Sequence, residues 1–196
     1  MQVTTLSFKN MHNHGELFTN MLRARHKTFI QKNHWELPEA DGMEYDQYDT
    51  PASRWVAVHE YGHVLAGVRL TPTTARCGIY SYMIRDAQLG LLDEIPQDLL
   101  FDDAPVASHI WESSRVFVSE SVPSKLRLRV QCSLIDEMVR SARQLGATSL
   151  IGVVPEHSPR LARRTGIDCQ IAGPVIETDE GDRSVCINIS LATKLH

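Results

Sequence analysis

The sequence lacks several features that would assign it to a class at once. None of its apolar runs approaches membrane-spanning length, and its first ten residues contain no apolar core of a signal peptide. Basic residues are not in excess, because the formal net charge is -4 at pH 7. We therefore expect a cytoplasmic protein with no membrane and no nucleic-acid partner. Its length suits one domain that comprises residues 1–196.

Cysteine pairs are also missing, since the four cysteines lack the spacing of a disulfide framework or a zinc site. We expect reduced thiols that are mostly buried. One metal-ligand pattern does occur: HEYGH at 59–63 matches the HExxH motif of zinc proteases. That motif requires a helix, whereas here Gly62 interrupts it and valines flank it on both sides. The stretch predicts a hairpin that turns near 60–62, and no metal site.

The sequence does contain a dense group of carboxylates between Trp35 and Asp49. The segment has no lysine or arginine, and its acidic residues are Glu36, Glu39, Asp41, Glu44, Asp46 and Asp49. Pro38, Gly42 and the absence of apolar periodicity predict a loop, not a strand or a core helix. Like charges held close together are costly unless a cation lies among them. The segment is either a solvated acidic loop or a loop folded around a positively charged ligand, with aromatic faces in cation–π contact.

Periodicity and capping residues predict the other elements. Helices are expected over 15–30, over 123–145 and in a short stretch over 158–166, with one or two short helices between 80 and 105. Strands are expected over 54–70, 110–118, 149–154 and 184–191, with a turn over 179–182 before the last. This order predicts an α/β fold, mixed α+β in character, with a central twisted mixed sheet.

The strand over 110–118 carries two charged residues, Glu112 and Arg115. Plain alternation would place them on opposite faces, and a bulge at Ser113 and Ser114 would bring both to one face. A bulged strand followed by a helix and another inner strand is similar to the arrangement in acyl-CoA-type N-acyltransferases, the GNAT-like fold. In that fold the two strands splay apart, and the cleft accepts the pantetheine arm of the acyl donor.

Five stretches occur in an order that is highly specific: RARHKTFI, WEL, DGMEYDQYD, GVRLTPTT and WESSRVFV. Together they resemble the acyl-homoserine-lactone synthases, or LuxI-type autoinducer synthases, over most of the chain. The resemblance implies that S-adenosylmethionine donates its amine to an acyl thioester of acyl carrier protein or CoA. The intermediate then closes to an N-acyl-homoserine lactone, a quorum-sensing signal, and releases methylthioadenosine (MTA). Both reactants are substrates, so no cofactor is expected.

The resemblance and the residue chemistry together select candidate site residues. The expected S-adenosylmethionine contacts are Arg25, Phe29, Trp35, Asp46, Asp49 and Arg69. The aspartates suit the cationic groups, the arginines suit the carboxylate or brace the aspartates, and the aromatic rings suit the sulfonium and the adenine. The expected catalytic residues are Glu112, Arg115 and Asp46, with Glu112 as the general base. The alternatives are a structural salt bridge to the acidic segment for Arg25 and Arg69, a stabilising pair with Arg115 for Glu112, and a core contact for Phe29.

The acyl donor has its own candidates. Met83, Leu134 and Met138 are expected to line the acyl pocket, with ordinary core packing as the alternative. Arg160, Arg163 and Arg164 form a basic patch that suits an acidic carrier protein or a solvated helix face. Gln88 stands where the family commonly has a phenylalanine, which indicates an altered acyl specificity.

Two other functions remain open at this point. One is a CoA-dependent N-acetyltransferase of the same fold, although the junction SESVPSK before the long helix lacks the pyrophosphate-binding loop of that class. The other is a non-catalytic binding protein that keeps the fold.

Overall fold

The structure is a computed structural model that describes residues 1–164, 166–177 and 182–191. Its α-helices are α1 (Leu17–Arg25), α2 (Met83–Gln88), α3 (Ser124–Gln144) and α4 (Ser158–Arg164). Its strands are β1 (Gln2–Leu6), β2 (Glu39–Ala40), β3 (Met43–Glu44), β4 (Arg54–Glu60), β5 (His63–Pro72), β6 (Ile110–Val118), β7 (Ser149–Pro155), β8 (Cys169–Glu177) and β9 (Arg183–Ser190). A 3-10 turn, Met11–His14, precedes α1, and a π-helical segment, His26–Lys32, follows it.

The chain packs as two compact units. Unit 1 comprises Met1–Leu70 and Arg115–Ser141, and unit 2 comprises Thr71–Ser114 and Ala142–His196. Three elements, β5, β6 and α3, contribute residues to both units. That residues 1–196 form one domain stays a prediction.

Unit 1 is built on the antiparallel strands β1, β4 and β5, which pair in that order. Helix α1 packs Leu17 and Met21 into an apolar core with Trp55 of β4 and Phe117 of β6. The predicted hairpin is confirmed, since β4 and β5 turn at Tyr61 and Gly62, which both have positive φ. The two histidines of HEYGH therefore lie on strands, and the helix that a zinc protease needs is not formed there.

The acidic segment of unit 1 contains a small hairpin, so the prediction that it has no strand is wrong. Strands β2 and β3 pair Glu39 with Glu44 and Ala40 with Met43. Asp41 and Gly42 have φ of 51° and 70°, the left-handed pair that closes a two-residue turn. Aspartate and glycine both tolerate that backbone conformation. The turn they form therefore allows the hairpin in spite of the repulsion between the carboxylates of the segment.

Unit 2 contains the parallel part of the sheet. Strand β7 pairs in parallel with β6 and antiparallel with β9, and β9 pairs with β8. Its apolar core consists of Tyr82, Ile84, Ala87, Leu99, Ala104, Ile151, Ile176 and Cys186. The combination of parallel and antiparallel pairs confirms the predicted α/β fold with a mixed central sheet. The splayed acyl-pantetheine cleft stays a prediction.

Several local predictions need correction. Leu126, predicted to lie in the buried stripe of α3, is 41% exposed because it lies in the first turn of that helix. Cys77 and Cys132 are exposed, so only Cys169 and Cys186 are the buried thiols expected. Residues 179–181 of the predicted turn lie outside the described part of the chain. Among the residues that the structure does describe, no helix has the length and hydropathy needed to cross a bilayer.

The irregular point of β6 lies at Arg115, next to the predicted bulge at Ser113 and Ser114. Arg115 has a φ of 54°, in the left-handed region that few residues other than glycine adopt. This conformation costs about 1–3 kcal/mol and persists only where surrounding contacts hold it. The contacts of the Arg115 side chain, described next, supply that restraint.

Candidate active site

Unit 1 brings together three arginines and three carboxylates from elements far apart in the sequence. The members are Arg25, Glu44, Arg115, Asp46, Arg69 and Asp49. In that order each residue contacts the next, and the last contacts the first. We call this closed, alternating arrangement the ion ring.

Arg25 and Arg69 form the fully buried side of the ion ring. The Nε of Arg25 donates to Glu44 at 2.5 Å, and its two terminal nitrogens donate to the two oxygens of Asp49 at 2.8 and 3.0 Å. Arg69 lies 2.5 Å from Asp46 and 3.2 Å from Asp49, and its guanidinium lies over the ring of Tyr48. Planar guanidinium groups suit this paired contact better than lysines would.

Arg115 closes the ring on its other side. Its Nε donates to Glu44 at 3.0 Å, and a terminal nitrogen lies 2.9 Å from Asp46. Its guanidinium also lies over the ring of Phe29, 5.7 Å from the centroid. The Arg115 side chain is 10% exposed, whereas those of Arg25 and Arg69 are fully buried. Arg115 is thus the ring arginine that solvent reaches.

Charge pairing keeps Asp46, Asp49 and Arg25 ionised in spite of their burial. Burial opposes ionisation of Asp46, but Arg69 and Arg115 outweigh it and hold the pKa of Asp46 below its ordinary value. Burial acts in the same direction on Asp49, and Arg69 and Arg25 likewise lower its pKa. Burial by itself would lower the pKa of Arg25. The negative charge of Asp49 outweighs burial, so the pKa of Arg25 is raised. Asp46, Asp49 and Arg25 therefore carry their charges at neutral pH.

The carboxylates of the ring differ in how many donors they already hold. Asp49 also accepts hydrogen bonds from the Trp55 indole at 2.8 Å and from the backbone N–H of Asp46 at 2.9 Å. Asp46 accepts one further bond, from the backbone N–H of Tyr48. Asp49, which accepts the most donors, is therefore the structural centre of the ring, and its contact with S-adenosylmethionine stays a prediction. Glu44, with one arginine on each oxygen, keeps more capacity to accept bonds.

Two predicted aromatic residues lie beside the ring in unit 1. Phe29, in the π-helical segment, stacks on Trp35 at 5.1 Å with the planes 14° apart. Phe29 is buried and belongs to the apolar core, so its core interpretation holds. Trp35 is 37% exposed and leaves part of its ring accessible. Because Arg115 contacts Phe29, the aromatic pair is continuous with the ion ring.

Glu112 belongs to unit 2 and is fully buried. Its carboxylate accepts hydrogen bonds from the backbone N–H groups of Ile84 at 2.9 Å and Met83 at 3.4 Å, in the first turn of α2. Burial and the neighbouring Glu112 carboxylate raise the pKa of Cys186 to about 12, so this thiol stays protonated. Glu112 is thus a fully buried carboxylate that backbone donors of α2 orient.

The remaining candidates are spread over both units. Met83 packs against the apolar core of unit 2, whereas Leu134 and Met138 are buried in unit 1. Of the basic residues on α4, Arg160 and Arg163 are both exposed, and Arg163 also donates to the backbone carbonyl of Cys169 at 2.8 Å. The side chain of Arg164 lies outside the described part of the chain.

Sequence reasoning did not select Glu44 as a site residue. It counted Glu44 among the carboxylates of the acidic segment, but the segment offers no local signal that separates Glu44 from Glu39 or Glu36.

Comparisons with known proteins agree with this architecture. A family model described as autoinducer synthase matches residues 8–188. An acyl-homoserine-lactone synthase of Ralstonia nicotianae is 35% identical over 158 residues, which are 77% of this chain and 71% of that protein. The crystal structure of TofI in a ternary complex with an inhibitor and MTA is 27% identical, with a TM-score of 0.76 over 97% of this chain and 92% of that one.

A more distant likeness concerns the fold alone. An acyl-CoA N-acyltransferase from Pseudomonas aeruginosa is 13% identical, with a TM-score of 0.62 over 96% of this chain and 99% of that one. This likeness confirms the predicted GNAT-like fold. The family match confirms the predicted family: the chain belongs to the autoinducer synthase family, whose members are acyltransferases that make N-acyl-homoserine lactones.

Proposed function

We propose that this acyl-homoserine-lactone synthase binds S-adenosylmethionine at the ion ring and uses Glu112 as the base that activates its amine. The observation that carries the proposal is the ion ring itself, with Arg115 as its accessible arginine and the partly exposed Trp35 beside it. The enzyme acylates the amine of S-adenosylmethionine and then closes the lactone with release of MTA. The MTA bound to the related TofI supports the choice of this substrate.

The charges of S-adenosylmethionine complement the groups beside the ring. Its ammonium suits Asp46 and Glu44, which keep capacity to accept hydrogen bonds, and its carboxylate suits Arg115. Its sulfonium and adenine suit the exposed face of Trp35, since a cation is attracted to an aromatic face. Because the ring side chains are already ordered by their mutual contacts, little conformational entropy is lost when the substrate binds. Asp49, Arg25 and Arg69 then act mainly as braces.

The acylation step needs a base because an ammonium group is not a nucleophile. Glu112 takes the proton, and the free amine attacks the thioester carbonyl. As the tetrahedral intermediate collapses, its nitrogen loses a second proton, the carbon–sulfur bond of the thioester breaks, the departing thiolate takes up that proton, and an amide remains. The carboxylate oxygen then attacks the γ-carbon, the carbon–sulfur bond breaks, and MTA leaves as a neutral thioether. This second step needs mainly orientation, because a sulfonium is already a good leaving group.

For the acyl donor we favour acyl carrier protein over CoA, docked through the basic residues of α4. Arg160 is exposed, while Arg163 is bound to a backbone carbonyl, so Arg160 is the main expected contact and Arg164 a further one. Charge complementarity of this kind chiefly raises the association rate. We place the enzyme in the cytoplasm, where both substrates are made, with no cofactor.

Mass spectrometry of reactions with S-adenosylmethionine and a panel of acyl-carrier-protein and acyl-CoA thioesters tests the proposal. We expect a lactone and MTA in equal amounts. An acylated amine without lactone would instead favour the CoA-dependent N-acetyltransferase. No product, together with no thermal stabilisation by S-adenosylmethionine, would favour a binding protein and refute the assignment.

A matched pair of variants tests the binding site. Asp46→Asn is expected to raise the KM for S-adenosylmethionine about tenfold or more, because a charged contact is lost. Asp136→Asn, an exposed aspartate on α3 of the same unit, is the control and is expected to leave that KM unchanged. Equal KM values in the two variants would remove Asp46 from the binding site.

A further inference from the structure

One segment of unit 2, residues 91–105, is held against α2 by Gln88. The side-chain carbonyl of Gln88 accepts the backbone N–H of Ala104 at 2.7 Å, and its amide nitrogen donates to the backbone carbonyl of Asp102 at 2.9 Å. Both ends of the amide group are therefore used on two nearby residues of the segment. We call residues 91–105 the cover segment, and the two hydrogen bonds of the Gln88 side chain the clamp.

Further contacts fix the cover segment on both sides of this clamp. The Tyr82 hydroxyl donates to the carbonyl of Pro105 at 2.6 Å, and the N–H of Phe101 donates to the carbonyl of Ala172 in β8 at 3.0 Å. Gly173 allows the closest approach, because a Cβ there would lie 1.9 Å from the carbonyl oxygen of Leu99. The backbone around Leu99 thus lies directly on β8.

The clamp places two side chains of the cover segment in the core of unit 2. Leu99 is fully buried and Ala104 is 8% exposed, and both belong to the apolar cluster that includes Ile84 and Ile151. The backbone N–H of Ile84 donates to the Glu112 carboxylate. Ile84 thus belongs to the same apolar cluster as Leu99 and also hydrogen-bonds Glu112, the proposed base.

We propose that Leu99, held in place by Gln88, closes the far end of the acyl site and limits the length of the acyl chain that is transferred. This inference rests on the proposed function, in which the thioester carbonyl reacts beside Glu112. The methylenes that follow that carbonyl need an apolar environment, and the cluster around Ile84 is continuous with Glu112 through the Ile84 N–H. Leu99 occupies it, so long chains are excluded.

The clamp also explains what Gln88 does in place of the aromatic residue expected from the family pattern. A phenylalanine has no polar group with which to bond the backbone at both Asp102 and Ala104. Gln88 therefore couples the position of the cover segment to the end of α2, and it is a positioning residue for Leu99.

Competition between acyl donors measures the effect. Leu99→Ala removes three carbons from the closed end, enough for about two added methylenes of substrate. Each buried methylene is worth roughly a fourfold change in kcat/KM. The ratio of kcat/KM for a donor two carbons longer to that for the preferred donor is therefore expected to rise about fifteenfold. Leu150→Ala is the control, since Leu150 is equally buried in unit 2 but lies outside the cluster.

Gln88→Met provides a second variant that keeps Leu99 and removes both clamp bonds. We expect it to broaden the range of chain lengths while the KM for S-adenosylmethionine stays unchanged. The products are quantified by mass spectrometry from a mixture of donors with even-numbered acyl chains of four to twelve carbons.

The outcomes separate this inference from the proposed function. A shift in chain length in Leu99→Ala and Gln88→Met, but not in Leu150→Ala, supports it. An unchanged product ratio in an active Leu99→Ala enzyme, or the same shift in Leu150→Ala, overturns it and leaves the synthase assignment intact. If Leu99→Ala does not fold, an unchanged ratio in Gln88→Met overturns it. Failure of the unaltered enzyme to form any lactone overturns both.

Discussion

Glu44→Gln is the sharpest test of the ion ring, because it removes one charge with almost no change in side-chain shape. Glu44 is fully buried and bonds Arg25 at 2.5 Å and Arg115 at 3.0 Å. The substitution leaves three guanidinium groups facing two carboxylates in a buried site. Breaking a buried ion pair in this way costs about 3–5 kcal/mol, because a buried positive charge is left uncompensated.

A loss of that size is large for any domain, because total stabilities are about 5–15 kcal/mol. For a chain of this length each kcal/mol lowers Tm by about 2–4 °C, so Tm is expected to fall by about 6–20 °C. Thermal unfolding followed by circular dichroism measures it. Glu39→Gln is the control from the same acidic segment, since Glu39 is half exposed and pairs with His26 at the surface. Exposed pairs contribute about 0–1 kcal/mol, so its Tm is expected to fall by less than about 4 °C.

A double-mutant cycle then tests whether charge balance is the cause. Arg115→Gln added to Glu44→Gln restores two positive against two negative charges. The double variant is expected to lose less stability than the sum of the single variants, by about 0.5–3 kcal/mol. A Glu44→Gln protein as stable as Glu39→Gln, or a strictly additive cycle, would refute the role assigned to the ring.

Three further predictions concern Glu112, His59 and Gly67. Glu112→Gln keeps an acceptor for the Ile84 N–H, so kcat is expected to fall about 10²- to 10⁴-fold with an unchanged circular dichroism spectrum, and full activity would remove Glu112 from the mechanism. Burial, together with His14 and the N-terminal amine, lowers the pKa of His59 from 6.5. Near and below pH 6.5 the unfolded chain therefore binds a proton at this histidine that the folded chain does not. Tm is expected to fall as pH drops below about 6.5. His59→Gln is expected to reduce that fall between pH 7.5 and 5.5, and equal falls in both proteins would contradict it. Gly67→Ala would place a Cβ 2.3 Å from the Met21 side chain, so we expect a loss of about 1–3 kcal/mol in urea unfolding, and unchanged stability would show that the core yields freely there.

Local sequence determined the elements that depend on neighbouring residues. Alternation of apolar residues around a Tyr-Gly turn predicted the β4–β5 hairpin and thereby excluded the helix that HExxH requires. Pro123 and Gly146 bracketed α3 correctly. These signals work because strand alternation, turn conformation and helix capping act within a few residues. The ordered motifs also identified the family, since they preserve residue types at given positions without reference to their contacts.

Only the tertiary structure decided which charges meet. The sequence marked Arg25, Arg69 and two aspartates, but Glu44 was distinguished from Glu39 only by its contacts with Arg25 and Arg115, which are 19 and 71 positions away. Pairs at such separations are set by the packing of whole elements, and no local period encodes them. The same reason applies to Gln88. The sequence showed that an expected aromatic residue was missing, and only the fold revealed that Gln88 bonds the backbone 14 and 16 positions further on.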